Sequence, residues 1–242
     1  MRMTHKNIFP AILFLQALML TSCATTITIR ANADKSAVIE YGMGSFGDAI
    51  SNVFQNAGGL GMMADGFSDS QIKDALSQGD FSDVSVTSNS DGLNITGLIP
   101  APERQSAVSK DGSLKISNFV MCTEHSLAVV LSPETIGRVM DSLPEDVRTV
   151  TDLFMAPVFT GDVMSGAEYR NLIASVYGDD IAQELDSSVL RITLEAPKGM
   201  TIKETSLSGT TRSVPAEKKA VLSIPFVEFL TLSSPRTFSI TY

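Results

Sequence analysis

The chain has 242 residues, 27 acidic and 18 basic side chains, a net charge of −9 and only two cysteines. A chain of this length can bury a sizeable core as one domain or as two small ones, and it needs no disulfide staple. The acidic balance repels nucleic acid and anionic lipid headgroups, which removes nucleic acid from the expected partners.

Met1 to Asn7 carries Arg2 and Lys6 and no acid, and Ile8 to Leu20 is apolar apart from Gln16. An apolar run of 13 residues is too short for a spanning helix of about 20 and reads as a secretory signal peptide. Leu20-Thr21-Ser22-Cys23 follows: an aliphatic residue, two small residues, then cysteine. This resembles the lipobox of bacterial lipoproteins. The resemblance implies that a diacylglyceryl group is placed on the Cys23 sulfur. Residues 1–22 are then removed as a lipoprotein signal peptide, leaving residues 23–242 as a lipid-anchored domain of the cell envelope. Ala24 stands where an aspartate would mark inner-membrane retention, so the outer membrane is the expected destination. Loss of Arg2 and Lys6 leaves 16 basic residues against 27 acidic, a net charge of −11. No polybasic stretch follows Cys23 to add an electrostatic anchor. With Cys23 acylated, no internal disulfide can form, and Cys122 reads as a small buried hydrophobe.

Ile27, Ile29 and Ala31 alternate with Thr28 and Arg30, the pattern of a half-buried strand. Asn32 to Ser36 is turn-like, and Ala37, Ile39 and Tyr41 alternate again, which predicts a hairpin. It starts about four residues beyond Cys23, a tether of at most about 14 Å. Ser45 to Ala57 places Phe46, Ile50, Val53 and Phe54 on one helical stripe ended by Gly58 and Gly59. A Gly-rich apolar loop runs to Gly66, and Ser68 can cap a short helix carrying Ile72, Ala75 and Leu76. Val84 and Val86 suggest a strand, and Asn89-Ser90-Asp91-Gly92 turns it into Leu93, Ile95 and Ile99. The polar stretch 100–112 is the candidate boundary between two lobes.

Leu114 to Cys122 and Leu127 to Leu131 read as two more strands, the second apolar on both faces and so expected in a sheet interior. Ser132-Pro133 is a cap with proline at the first helical position, and a second proline-started segment runs from Pro144 to about Phe154. Ser165 and Glu168 have capping-box spacing. The helix behind them carries Tyr169, Leu172, Ile173, Val176 and Tyr177 and should stop at Gly178. From Ser188 the texture is β: Leu190, Ile192 and Leu194 alternate, Pro197-Lys198-Gly199 turns, and Thr201 to Ser206 extends. Val221 to Ile224 and Phe238 to Tyr242 are later strands, with a short helix between Pro225 and Leu232. Strands and helices come in blocks without strict alternation. The expected fold class is therefore α+β, a curved, mostly antiparallel sheet with helices packed on one face, in a single domain over 23–242. A cysteine of lipobox type followed by a strand, a turn at Asp34 and a second strand, with Thr237 to Tyr242 as final strand, resembles the mycobacterial LppM-type lipoprotein domain. That resemblance implies a lipid-anchored domain and brings no residue motif for an activity.

Several motifs are better read as structure. Gly42-Met43-Gly44-Ser45-Phe46-Gly47 matches G-x-G-x-x-G between a strand and a helix. However, the strand belongs to a hairpin, and no strand with a terminal acid follows the helix. Ser70-Gln71-Ile72-Lys73 and Tyr169-Arg170-Asn171 match two of the three elements of penicillin-interacting enzymes, but the third, Lys-Ser/Thr-Gly, is missing. Cys122-Thr123-Glu124-His125 supplies too few ligands for a structural zinc site, and Asn94-Ile95-Thr96 is a sequon without weight in a bacterial chain. No catalytic residue, metal or cofactor is expected. Leu60, Met62 and Met63 form the candidate interaction loop, since mobile methionine surfaces adapt to varied partners. The expected function is a membrane-anchored binding or interaction module, attached through N-terminal acyl chains and holding an envelope protein or an apolar ligand. The alternative is an envelope hydrolase using carboxylates such as Glu124, Asp179 or Asp180.

Overall fold

The computed structural model describes residues 25–43, 73, 81–89, 92–101, 119–134, 136 and 156–242. Eleven strands lie in this part of the chain: β1 (Thr25–Ala31), β2 (Ala37–Met43), β3 (Ser82–Asn89), β4 (Gly92–Ile99), β5 (Val120–Cys122), β6 (Ser126–Leu131), β7 (Val189–Glu195), β8 (Ile202–Leu207), β9 (Thr210–Glu217), β10 (Lys219–Pro225) and β11 (Arg236–Thr241). Four helices accompany them: α1 (Pro157–Thr160), α2 (Gly166–Tyr177), α3 (Asp179–Ser187) and α4 (Phe226–Leu230). The class is α+β, and the strands divide into two open sheets. The first has six strands in the order β10-β7-β1-β2-β4-β3, and the second has five in the order β5-β6-β11-β8-β9. All pairs are antiparallel except β1 with β7.

Side-chain alternation sets which face of the six-stranded sheet is buried, because residues opposite one another on neighbouring strands share a face. Leu222, Ile192, Ile27, Tyr41, Ile95 and Val86 form one row across all six strands. Ala220, Leu194, Ile29, Ile39 and Gly97 form the next. The glycine in that row is a packing requirement, since a Cβ on Gly97 would lie 2.7 Å from Cδ1 of Phe81. The other face carries Thr26, Thr28, Thr193 and Thr96 together with Arg30, Glu40, Val38, Leu98 and Val221. Arg30 Nε donates to Glu195 Oε2 at 2.7 Å and its Nη2 to Glu40 Oε1 at 3.4 Å. The hydrogen bond to Glu195 holds the guanidinium pKa above its ordinary value; an exposed pair of this kind contributes at most about 1 kcal/mol.

In the second sheet, β6 lies inside between β5 and β11, as its two apolar faces predict. Leu127, Val129, Phe238 and Ile240 point inward. A single continuous core takes in residues of both sheets and all four helices. Among the described strands the chain passes between the sheets at β4–β5, β6–β7, β7–β8, β9–β10 and, through α4, at β10–β11. Ala196 N donates to Lys218 O at 3.1 Å, tying the β7–β8 and β9–β10 crossings together.

The best-specified helix is α2. Ser165 N donates to Glu168 Oε2 at 2.8 Å and Glu168 N donates to Ser165 Oγ at 3.3 Å, so both partners of the capping box are engaged. Gly178 ends the helix at φ 97°, a conformation that favours glycine. The Ser165 hydroxyl and amide hold the Glu168 carboxyl below its ordinary pKa. A lowered folded-state pKa means that this contribution is present above the ordinary glutamate range and fades as pH falls through the lowered value. Ser165→Ala removes the acceptor for Glu168 N at the helix start and should destabilise the domain by about 1 kcal/mol. In thermal melts the gap from wild type should narrow as the pH is taken below the ordinary glutamate range.

Three elements were not foreseen in the sequence: α1, α3 and β9. Helix α3 buries Ile181, Ala182 and Leu185, with Asp179 and Asp180 in its first turn. Strand β9 is reached through a two-residue turn in which Ser208 and Gly209 have φ of 48° and 89°, the left-handed pair of a type I′ hairpin.

Candidate functional site

Cys23, Leu60, Met62 and Met63 lie outside the described residues, as does most of the candidate boundary at 100–112. The structure does describe the place where the chain joins the domain. β1 begins at Thr25, which is 1 % exposed and lies opposite Leu190 of β7. The strand is held on both sides, by β2 and by β7. Thr26 Oγ1 donates to Gly42 O at 3.4 Å, and a Cβ on Gly42 would come within 2.9 Å of that hydroxyl. The first glycine of the G-x-G-x-x-G stretch thus makes room for a cross-strand threonine. It stands in a strand antiparallel to both of its neighbours, where a dinucleotide site needs a parallel one.

Around this leading end of β1 the register places the end of β2, the turn between β3 and β4, the start of β7 and the end of β10. Ser188 closes α3 by donating from Oγ to Glu184 O at 2.7 Å, and its carbonyl accepts from Phe226 N at 2.9 Å. That bond fixes the start of α4, where Phe226 and Phe229 stack with centroids 6.0 Å apart. Gly166, the first residue of α2, lies so near α4 that a Cβ there would be 3.0 Å from Val227 Cγ1. On the buried side of the sheet, Thr25 Oγ1 and Tyr41 Oη have no hydrogen-bond partner among the described residues. Burial pushes the Tyr41 phenol well above its ordinary pKa, so it stays neutral.

The opposite end of β1 carries a different cluster. Asp34 Oδ1 accepts from Ser36 N at 3.1 Å and from Ser36 Oγ at 2.5 Å, closing the β1–β2 turn. Cys122 Sγ donates to Ser36 O at 3.6 Å and lies 3.9 Å from Tyr242 Oη. Tyr242 Oη also lies 3.1 Å from Thr123 O and 3.3 Å from Ser126 O, both acceptors for its proton. These contacts join the two sheets at that end. Burial raises the Cys122 thiol above its ordinary pKa, which disfavours the thiolate needed for nucleophilic chemistry. Burial, and then Cys122, raise the Tyr242 phenol likewise. The β5–β6 turn points Cys122 inward and leaves Glu124 and His125 exposed, so the Cys-His pair does not assemble.

Asp179 and Asp180 are exposed in the first turn of α3, where carboxylates favour the helix N-terminus. Glu124 belongs to a turn of the other sheet. Tyr169 is fully buried in α2 and its pKa is raised mainly by that burial; Asn171 is exposed, and Lys73 is an exposed helical residue. Sequence reasoning did not single out Val163, which is 91 % exposed on the loop between α1 and α2. Its only signal is a Val163-Met164 pair after Gly161-Asp162. No protein family, no characterised protein and no solved structure matches this chain.

Proposed function

We propose that this chain is a membrane-anchored cell-envelope lipoprotein, attached through acyl chains on Cys23, whose α+β domain is a binding or interaction module. The observation that best supports this reading is the position of Thr25. It is buried in an inner strand only two residues beyond the lipobox cysteine. Two residues span about 7 Å, so an anchor at Cys23 joins the fold with almost no slack. That arrangement suits a module that must present a fixed surface at a membrane. The acidic surface and the absence of a polybasic segment after Cys23 leave acyl chains as the attachment.

Cys23→Ala should abolish both acylation and cleavage by the lipoprotein route. Mass spectrometry of the N-terminal peptide from the membrane fraction of the native bacterium is the measurement. The wild-type peptide should begin at Cys23 and carry the mass of its acyl groups, and the variant should yield no such peptide. A wild-type mature N-terminus without acyl groups would overturn the proposal.

A further inference from the structure

We infer that the domain rests on the bilayer by the leading end of its six-stranded sheet, with the loop between α1 and α2 as its lipid contact and Val163 as the side chain that enters the interface. The inference depends on the acyl anchor proposed for Cys23 and adds the orientation and the contact residue.

Three observations converge on this loop. The first is the tether, since the backbone of an acylated Cys23 lies within about 7 Å of Thr25 and so marks the end of the sheet that faces lipid. The second is a chain of contacts that leads from that end to the loop. Thr25 is opposite Leu190. Two residues before Leu190, Ser188 O accepts from Phe226 N at 2.9 Å. The next residue, Val227, lies against Gly166, and Val163 is three residues before that, within about 11 Å along the chain. The third is exposure: at 91 %, Val163 stands far above the other exposed large apolar residues described, which lie between 40 and 51 %.

The loop is also held in shape. Gly161 adopts φ 78° at the end of α1 and donates to Pro157 O, while Thr160 Oγ1 donates to Asp162 Oδ2 at 2.8 Å. At the other side the Ser165 capping box fixes the start of α2. An apolar side chain held out by a constrained loop incurs little ordering cost on contact with lipid. No lysine or arginine lies between Ala156 and Tyr169, so the contact rests on Val163, beside the Asp162 carboxylate, and draws nothing from anionic headgroups. The far end, by contrast, presents Asp34, Lys35, Glu124 and His125, which suit water.

The test uses the acylated protein in phosphatidylcholine vesicles, with an environment-sensitive nitrobenzoxadiazole label introduced through Val163→Cys or, at the far end, Ala33→Cys. Cys122 is buried and its thiol pKa is raised, so the label goes to the introduced site. The emission at position 163 should increase and shift to the blue on vesicle binding, and the emission at position 33 should stay as in solution. Vesicle-bound protein with an unchanged label at position 163, or a larger response at position 33, overturns the orientation while the anchor stands. A mass spectrum showing no acyl group on Cys23 overturns the anchor and the orientation together.

Discussion

Phe226→Ala should remove about 3–5 kcal/mol of stability, the range for deleting a buried aromatic side chain. Phe226 is 2 % exposed, stacks on Phe229, and begins the helix that carries the chain from the six-stranded sheet towards the five-stranded one. Its amide is bonded to Ser188 O, so the backbone has little freedom to close the cavity left behind. Because domains of this kind are stable by about 5–15 kcal/mol, the loss is a large share of the total. Urea unfolding followed by far-UV circular dichroism should show the midpoint falling steeply. Val176→Ala, at a half-exposed position of α2, should stay within about 0.5 kcal/mol of wild type. Equal midpoints for the two variants would mean that the α4 junction is not part of the cooperative core.

Gly97→Ala should cost about 1–3 kcal/mol although it adds a single methyl group. The reason is the Phe81 ring, which occupies the space above Gly97 in the buried row of the six-stranded sheet. A smaller ring-site residue relieves the clash, so Gly97→Ala combined with Phe81→Leu should be less destabilising than the sum of the two single changes. Strict additivity in a double-mutant cycle would show that the two positions do not share space.

The features legible in the sequence are those decided within a few residues. The Ser165–Glu168 box, the stop at Gly178 and the β1–β2 and β3–β4 hairpins all depend on neighbours close in the chain, and each was readable as a pattern. The α+β class followed from the order of these segments. Helix α3 was missed although Ile181, Ala182 and Leu185 recur at helical spacing, because it is only nine residues long and follows the stop at Gly178 without a side-chain cap. β9 was obscured by Pro215, which cannot donate to a ladder; the strand tolerates it at the edge of its sheet, where one side is unpaired. Division into two sheets was not legible, because it rests on pairings between remote segments. The same holds for the site. The short distance from Cys23 to the first strand could be read directly. The link from that strand to the start of α2 required the contacts of Ser188 with Phe226 and of Val227 with Gly166, which join three separate parts of the chain.

The pairing of β1 with β7 also governs when the domain can form. Thr25 meets Leu190, 165 positions later, and the third strand of the five-stranded sheet, β11, ends at Thr241. Nearly the whole chain must be present before either sheet is complete. Contacts so distant along the chain make for slow folding, because loop closure must precede the gain from pairing. During that interval β1 is the edge strand of a β1-β2-β4-β3 unit, with its β7 side unpaired. The backbone around Thr25 therefore stays open to other molecules until β7 arrives, and becomes enclosed once it does.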